Sequence, residues 1–199
     1  MTDHPDVHSV LQFWFAELEG QPASGQALWW GKSDAVDRFV SERFGGLLTN
    51  LSAKSPALLE NSPQGRLATI LCFDQFPRHI YRGRERSFAW DRRARALVRQ
   101  GLDAGDDRKL GAMQSVFFYM PLMHSEDLPH QEQGVALFEA LALRTRGEER
   151  KQVEASVRSA HQHREIIIRF GRFPHRNRAL GRQSSDEELE FLTQPGSSF

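Results

Sequence analysis

The sequence predicts an all-α protein, and three observations support this fold class. Apolar residues recur at helical spacing along almost the whole chain, no stretch shows the sustained alternation of a strand, and prolines and glycines separate the apolar stripes. A chain of 199 residues is long enough to bury one substantial core. We therefore expect a single helical domain over residues 1–199, with a tail at about 194–199 that frays.

Each expected helix carries its own apolar stripe. In chain order the stripes cover residues 7–18, 36–51, 67–74, 110–120, 135–141 and 153–167. The last stripe predicts one buried helix face, made of Val153, Val157, Ala160, Arg164 and Ile167. No repeat of fixed length is present, although helix pairs of unequal length are compatible with a stacked helical array.

Local residues mark the ends of several helices. Pro63 lies where a helix can begin, whereas Pro121 and Pro174 are expected only after a helix has ended. Ser185 precedes Glu188 by three residues, and this spacing predicts a capping box that opens a short last helix. The helix ends therefore agree with the stripes.

The composition excludes several classes of function. Lysine plus arginine and aspartate plus glutamate balance at 26 each, so no global positive field favours nucleic acid or an anionic membrane. Cys72 is the single cysteine and lies in the apolar run LATILCF, which excludes a disulfide framework. The start of the chain lacks the pattern of a secretion signal, and no apolar run is long enough to span a bilayer. We expect a cytoplasmic protein that binds neither nucleic acid nor membrane.

The charges are nevertheless distributed unevenly. Residues 78–99 contain eight arginines, and the segment RFGRFPHRNRALGR (169–182) contains five arginines and no acid, whereas residues 126–139 contain four acids and neither lysine nor arginine. Three corners follow apolar helices: DQFPR (74–78) and RFGRFPHRN (169–177) are cationic, and HSED (124–127) is acidic. Their opposite signs predict that the three corners converge.

Two charged residues occupy positions in line with the apolar stripes of their helices, and they lead to the first interpretation of the charged corners. Asp74 extends the third stripe and Arg164 the last, so both are expected to point inward, where a charge needs a partner. In this interpretation Asp74, Glu126 and Asp127 pair with arginines of residues 164–182. The corners are then salt-bridge latches that hold helix ends together.

In the second interpretation the corner arginines exceed the acids, and the surplus forms a binding site for a small anion. The forked guanidinium group favours phosphate or carboxylate. The candidate ligand-binding residues are Arg78, Arg82, Glu126, Asp127, Arg164, Arg172, His175, Arg176 and Asn177. His124, His161 and Asp74 are the candidates for proton transfer, and both catalysis and sensing stay open.

Other kinds of site are not supported by the sequence. HSED and HQH (161–163) contain metal-ligand residue types, but neither Glu-x-x-His nor His-Glu-x-x-His is present, and the arginine excess opposes a cation. There is no phosphate-binding Gly-x-x-x-x-Gly-Lys loop, no Gly-x-Ser-x-Gly elbow and no glycine-rich dinucleotide turn. We expect no metal and no cofactor.

Several short motifs are spread over nearly the whole chain: FWF (13–15), WW (29–30), DQFPR (74–78), YRG (81–83), YMPLMHSED (119–127), RFGRFPHRN (169–177) and LGR (180–182). Together they resemble a bacterial family known as domain of unknown function 924. The resemblance implies an all-α fold similar to tetratricopeptide-type helical arrays, and it implies no activity. His79 departs from it, because asparagine is expected after DQFPR.

The implied fold adds an alternative function. Helical arrays of this type bind peptides or partner proteins in a concave groove. In that case the chain is a scaffold with a peptide or protein partner, and the charged corners act only as latches. If the second interpretation holds, the partner is a small anionic metabolite.

Overall fold

The computed structural model describes residues 5–16, 19–53 and 61–198, and within them it contains helices and no strand, which confirms the all-α prediction. Leu18, which ends the first stripe, and Phe199, which ends the tail, lie outside the described residues. The helices are α1 (Pro5–Phe15), α2 (Gly25–Trp30), α3 (Asp34–Ala53), α4 (Pro63–Asp74), α5 (Phe76–Ile80), α6 (Asp91–Asp103), α7 (Ala112–Met123), α8 (Leu128–Arg144), α9 (Gly147–Phe170) and α10 (Asp186–Leu192). Short 3₁₀ turns occupy Glu85–Phe88, Asp107–Lys109 and Pro174–Arg176.

The chain divides into two compact units. The first unit comprises Met1–Arg82 and Arg86–Pro121, and the second comprises Gly83–Glu85 and Leu122–Phe199. Helices α1 to α6 and most of α7 belong to the first unit, and α8 to α10 belong to the second. The expectation of one domain over the whole chain stays a prediction.

Helix α4 is the centre of the first unit. It contacts α1, α3, α5 and α6, and every residue from Leu67 to Asp74 is buried. The helix begins as the sequence predicts: Pro63 occupies its first turn, and the Ser62 hydroxyl accepts a hydrogen bond from the Gly65 N–H at 3.0 Å. The first unit also buries large aromatic rings, including Phe13, Trp14, Phe44, Phe73, Phe76 and Phe117.

The second unit is built on the contact between α8 and α9. Helix α9 ends at Phe170 and is capped by Gly171, which has a positive φ of 66° and donates its N–H to the Ile167 carbonyl. The chain then returns over the end of α9, where Ile166, Ile167 and Phe173 form an apolar cluster with Phe191 of α10. The predicted capping box of Ser185 and Glu188 is present at the start of α10.

Two local expectations are wrong. Helix α7 continues past Pro121 to Met123, so this proline lies inside a helix. On α9 the buried face includes His163, whereas the Arg164 side chain is 30% exposed. None of the described helices is both long and apolar enough to cross a membrane.

Candidate functional site

Asp74 is buried, as its place in the third stripe predicts, and Arg78 lies one helical turn after it. Arg78 approaches the Asp74 carboxylate at 3.5 Å and binds both carboxylate oxygens of Asp91 at 3.0 and 3.1 Å. Gln75 also donates to the Asp74 carboxylate, at 2.6 Å. The DQFPR corner therefore uses its own arginine as an ion-pair partner, together with an acid from the first turn of α6.

A second ion-pair network joins α3 to the end of α5. Arg82 donates to both oxygens of the Asp37 carboxylate, each at 2.6 Å, and His79 Nδ1 lies 2.8 Å from Asp37 Oδ1. Burial alone raises the pKa of Asp37, but hydrogen bonds and charge from Arg82 and His79 outweigh it, and the pKa is lowered. Asp37 is thus held as an anion by two basic side chains.

In the second unit the HSED corner contacts the arginine-rich segment. Arg182 binds both oxygens of the Glu126 carboxylate at 2.6 and 2.9 Å, and the Phe173 N–H donates to the same group at 2.8 Å. Burial raises the pKa of Glu126, but these hydrogen bonds and the charges of Arg182 and Arg176 lower it further than burial raises it. Glu126 therefore latches this corner to the segment that follows α9.

Another latch fixes α10 beneath the same segment. Arg172 donates to both oxygens of Glu188 at 2.6 and 2.7 Å, which lowers the pKa of Glu188 to about 2. Asn177 is buried and donates to Glu188 and to Ser184, while its own oxygen accepts from Arg182 at 3.0 Å. The amide of Asn177 is fully engaged by this network.

Three other predicted site residues lie near the surface of the second unit. Arg164 pairs with Glu165 at 3.0 Å and with Glu132 at 3.7 Å, so the expectation that it points inward is not met. His161 is 47% exposed and lies 2.9 Å from Glu139 of α8. Asp127 caps α8 by accepting from the His130 N–H.

Three basic side chains lie around the buried ring of Phe173, and the ring of a fourth, His124, neighbours that of His163. We call this group the basic cluster: His124, His163, His175 and Arg176. The Arg176 guanidinium lies over the Phe173 ring, 4.5 Å from its centre, and donates to the His124 carbonyl at 2.9 Å. The Phe173 ring centre lies 5.5 Å from that of His163 and 5.6 Å from that of His175.

The electrostatics of the basic cluster act on His163. Its ring centre is 6.4 Å from that of His124, and its Nδ1 bonds the Ser159 carbonyl of the preceding helical turn at 2.7 Å. Burial lowers the pKa of His163 to about 3, and the charges of His124, Arg176 and His175 act in the same direction. His163 is therefore a neutral imidazole that lies among basic groups.

The structure brings together some predicted residues and adds others. His124, His175 and Arg176 meet in the basic cluster, whereas Arg78, Arg82 and Arg172 are held by carboxylates. Sequence reasoning did not single out His163, Asp37, Asp91, Arg182 or Glu188 as site residues. His163 could have been found by shifting the expected buried position on α9 by one residue, from Arg164 to His163. Among the described residues, no group of three or more His, Cys, Asp or Glu is arranged to hold a metal ion.

The comparisons with known proteins agree with the fold. The family described as bacterial protein of unknown function (DUF924) matches residues 10–196. A solved structure, that of the protein of unknown function ATU0120 from Agrobacterium tumefaciens, is similar with a TM-score of 0.80 and 30% sequence identity. The similarity covers 94% of this chain and 96% of that chain. No curated protein matches the sequence.

Proposed function

Since the chain belongs to the DUF924 family, whose description assigns no activity, its own geometry has to indicate a function, and we propose that it binds a small anion at the basic cluster. The observation that carries this proposal is the position of Arg176 and His175 against the Phe173 ring, together with the hydrogen bond from Arg176 to the His124 carbonyl. These residues come from two distant segments, the HSED corner and the turn after α9.

The chemistry of the cluster suits a phosphate- or carboxylate-bearing ligand. A guanidinium group carries a permanent charge and forked N–H donors, and imidazole rings add donors whose charge changes near neutral pH. His124 is only partly buried, so it can meet a ligand from solvent and is the candidate for proton transfer.

The ion pairs leave fewer candidate ligand-binding residues than the sequence predicts. Arg172 and Arg182 already bind carboxylates with two hydrogen bonds each, so a ligand would have to break an ion pair to reach them. In the first unit Arg78 and Arg82 are engaged in the same way. We therefore assign these four arginines to latches, and we propose the anion site at Arg176 and the histidines because their side chains lie close together beside Phe173.

The paired arginines also support the alternative function. If every corner is a latch, the chain is a scaffold that binds a peptide or partner protein along a helical surface. In that case small anions have no effect on its stability. The two functions therefore differ in a quantity that can be measured directly.

The test is thermal unfolding with inorganic phosphate and with citrate as probes. A ligand that binds only the folded state stabilises it by about 2.7 kcal/mol at a hundredfold excess over its dissociation constant. We expect one of the two probes to raise the unfolding temperature of the wild type, and His175→Ala to abolish the rise. The matched control is Arg178→Ala, since Arg178 is an exposed arginine of the same segment and should leave the rise intact.

If His175→Ala and Arg178→Ala lose the rise in unfolding temperature equally, the probes act by general charge screening and not at a specific site. Absence of any rise in the wild type at millimolar probe would remove the anion site and leave the scaffold function. A rise with phosphate only, or with citrate only, would identify whether the site prefers a phosphate or a carboxylate.

A further inference from the structure

Trp14 of the FWF motif has a polar atom that the fold does not satisfy. Its side chain is fully buried, and among the described residues the indole Nε1–H has no hydrogen-bond partner. The backbone of the same residue is fixed, because Trp29 of the WW motif donates its own indole N–H to the Trp14 carbonyl at 2.8 Å. Buried donors without an acceptor are rare and costly in folded proteins, so this one needs an explanation.

The ring of His79 neighbours the Trp14 indole and carries two nitrogens that can form hydrogen bonds. Its Nδ1 lies 2.8 Å from Asp37 Oδ1, and a carboxylate can only accept, so the proton of the neutral ring is on Nδ1 and the lone pair is on Nε2. Arg82 fixes the Asp37 carboxylate by two further bonds. Burial lowers the pKa of His79, although the hydrogen bond and charge of Asp37 oppose this, so the ring favours the neutral form.

The two rings are neighbours. Their centres are 6.0 Å apart and their planes are inclined by 77°. One oxygen atom that bonds two nitrogens at about 2.9 Å each spans up to ~5.8 Å between them. Ring centres 6.0 Å apart are compatible with one oxygen atom between Trp14 Nε1 and His79 Nε2. Apolar rings pack against the indole, since the ring centres of Phe76 and Phe117 lie 5.9 and 5.4 Å from that of Trp14.

From this geometry we propose that Trp14 and His79 form a binding site for one hydroxyl group, with His79 as its proton acceptor and Asp37 as the residue that positions His79. The indole N–H donates to the hydroxyl oxygen, and the hydroxyl O–H donates to His79 Nε2. The ligand class is a water molecule or a small alcohol. The site lies in the first unit and is independent of the anion site proposed for the second.

The arrangement also allows a proton to move. If the hydroxyl proton passes to His79 Nε2, its bonding electron pair stays on the oxygen, and the imidazolium that forms is stabilised by the Asp37 carboxylate. Arg82 prevents Asp37 from taking the proton, because it stabilises the charged carboxylate. His79 is 9% exposed, which limits the site to a small group.

A competing explanation for the indole is a weak contact with an aromatic face. Trp14 and Phe117 meet edge to face at 90°, a geometry in which an N–H can point at a ring. Such a contact leaves His79 Nε2 without a role and predicts no exchangeable proton near the indole.

The experiment is nitrogen-15 NMR of the full chain, labelled at tryptophan and histidine. We expect the His79 ring to be protonated at Nδ1, and the Trp14 indole proton to show a through-space cross-peak to a hydroxyl or water proton. Titration with ethylene glycol separates the sources: the cross-peak stays with water if water is bound, and moves to the glycol if the site accepts an alcohol. Either result supports a hydroxyl site.

The matched variants are His79→Phe and His8→Phe, since His8 is an exposed histidine on α1. The first should abolish the indole cross-peak and the second should retain it. An indole proton without any cross-peak, shifted upfield by a ring, would overturn the proposal, as would a His79 ring protonated at Nε2. Both wild-type measurements remain decisive if His79→Phe does not fold.

Discussion

Arg182 binds the Glu126 carboxylate with both of its terminal nitrogens, at 2.6 and 2.9 Å, across a sequence separation of 56 residues. The same carboxylate accepts the Phe173 N–H, so one acid fixes both ends of the turn that carries His175 and Arg176. The latch and the proposed anion site are therefore parts of one structure, because Glu126 holds in place the turn that supplies two members of the basic cluster.

The first prediction concerns this latch. Glu126→Gln removes the charge that Arg182 binds, and a lost hydrogen bond to a charged group costs about 1.5 kcal/mol at a partly exposed site. The measurement is the free energy of unfolding in urea. Glu139→Gln is the control, because Glu139 pairs with His161 on the exposed surface, where such a pair contributes less than about 1 kcal/mol. Equal losses in the two variants would contradict the assigned role of Glu126.

Asp74 gives a second and larger effect. Asp74→Ala removes the buried acceptor of Gln75 and one of the two carboxylates beside Arg78, while Arg78 keeps its bonds to Asp91. Leaving a buried donor without its acceptor costs on the order of 2–3 kcal/mol. Asp103→Ala is the control, since Asp103 is exposed at the end of α6 and should change stability by less than about 0.5 kcal/mol. The same urea titration measures both. A loss below about 1 kcal/mol for Asp74→Ala would mean that the pair with Arg78 contributes little.

Short-range spacing predicted the fold and the buried charge, because helix formation and capping depend on residues within a few positions. The capping box at Ser185 and the burial of Asp74 are examples of such local rules. The partner of Arg82 is Asp37, which lies 45 residues earlier, and no local pattern connects them. Ion-pair partners therefore had to come from the three-dimensional structure.

The assignment on α9 shows a second limit. Residues three and four positions apart both follow a helical stripe, so Arg164 and His163 were competing choices after Ala160. Including Val157 in the buried face favoured Arg164 as its next member. A long arginine side chain, however, can reach the surface while its stem remains covered. His163 takes the buried position, so the sequence pattern did not identify this member of the basic cluster.

Glu188 gives a prediction for acid stability. Arg172 lowers its folded-state pKa from the ordinary 4.5 to about 2, so the unfolded chain takes up this proton first as the pH falls. The contribution of Glu188 is complete above pH 4.5 and is lost between there and about pH 2. Glu188→Gln should therefore flatten the decline of stability in that range, measured as unfolding free energy against pH. The exposed Glu190→Gln on the same helix should leave the decline unchanged, and a similar flattening there would contradict the assignment.

His163 should affect the stability of the fold in a higher pH range than Glu188, because burial and not an ion pair is the main cause that shifts its pKa. Burial, followed by the charge of His124, lowers its pKa from 6.5 to about 3, so it is neutral in the folded protein while the unfolded chain is protonated below pH 6.5. The unfolded state then binds more protons, and stability falls with decreasing pH across the window from 6.5 to about 3, by up to about 1.4 kcal/mol per pH unit. His163→Phe keeps a flat ring against Phe173 but removes the titrating group, so its stability should fall less steeply than that of the wild type between about pH 6.5 and 5. The remaining slope comes from other groups, including His79, whose pKa is also lowered. His161→Phe, at an exposed position two residues earlier, should keep the wild-type slope. Urea unfolding at several pH values measures both slopes, and an unchanged slope in His163→Phe would show that another group causes the loss.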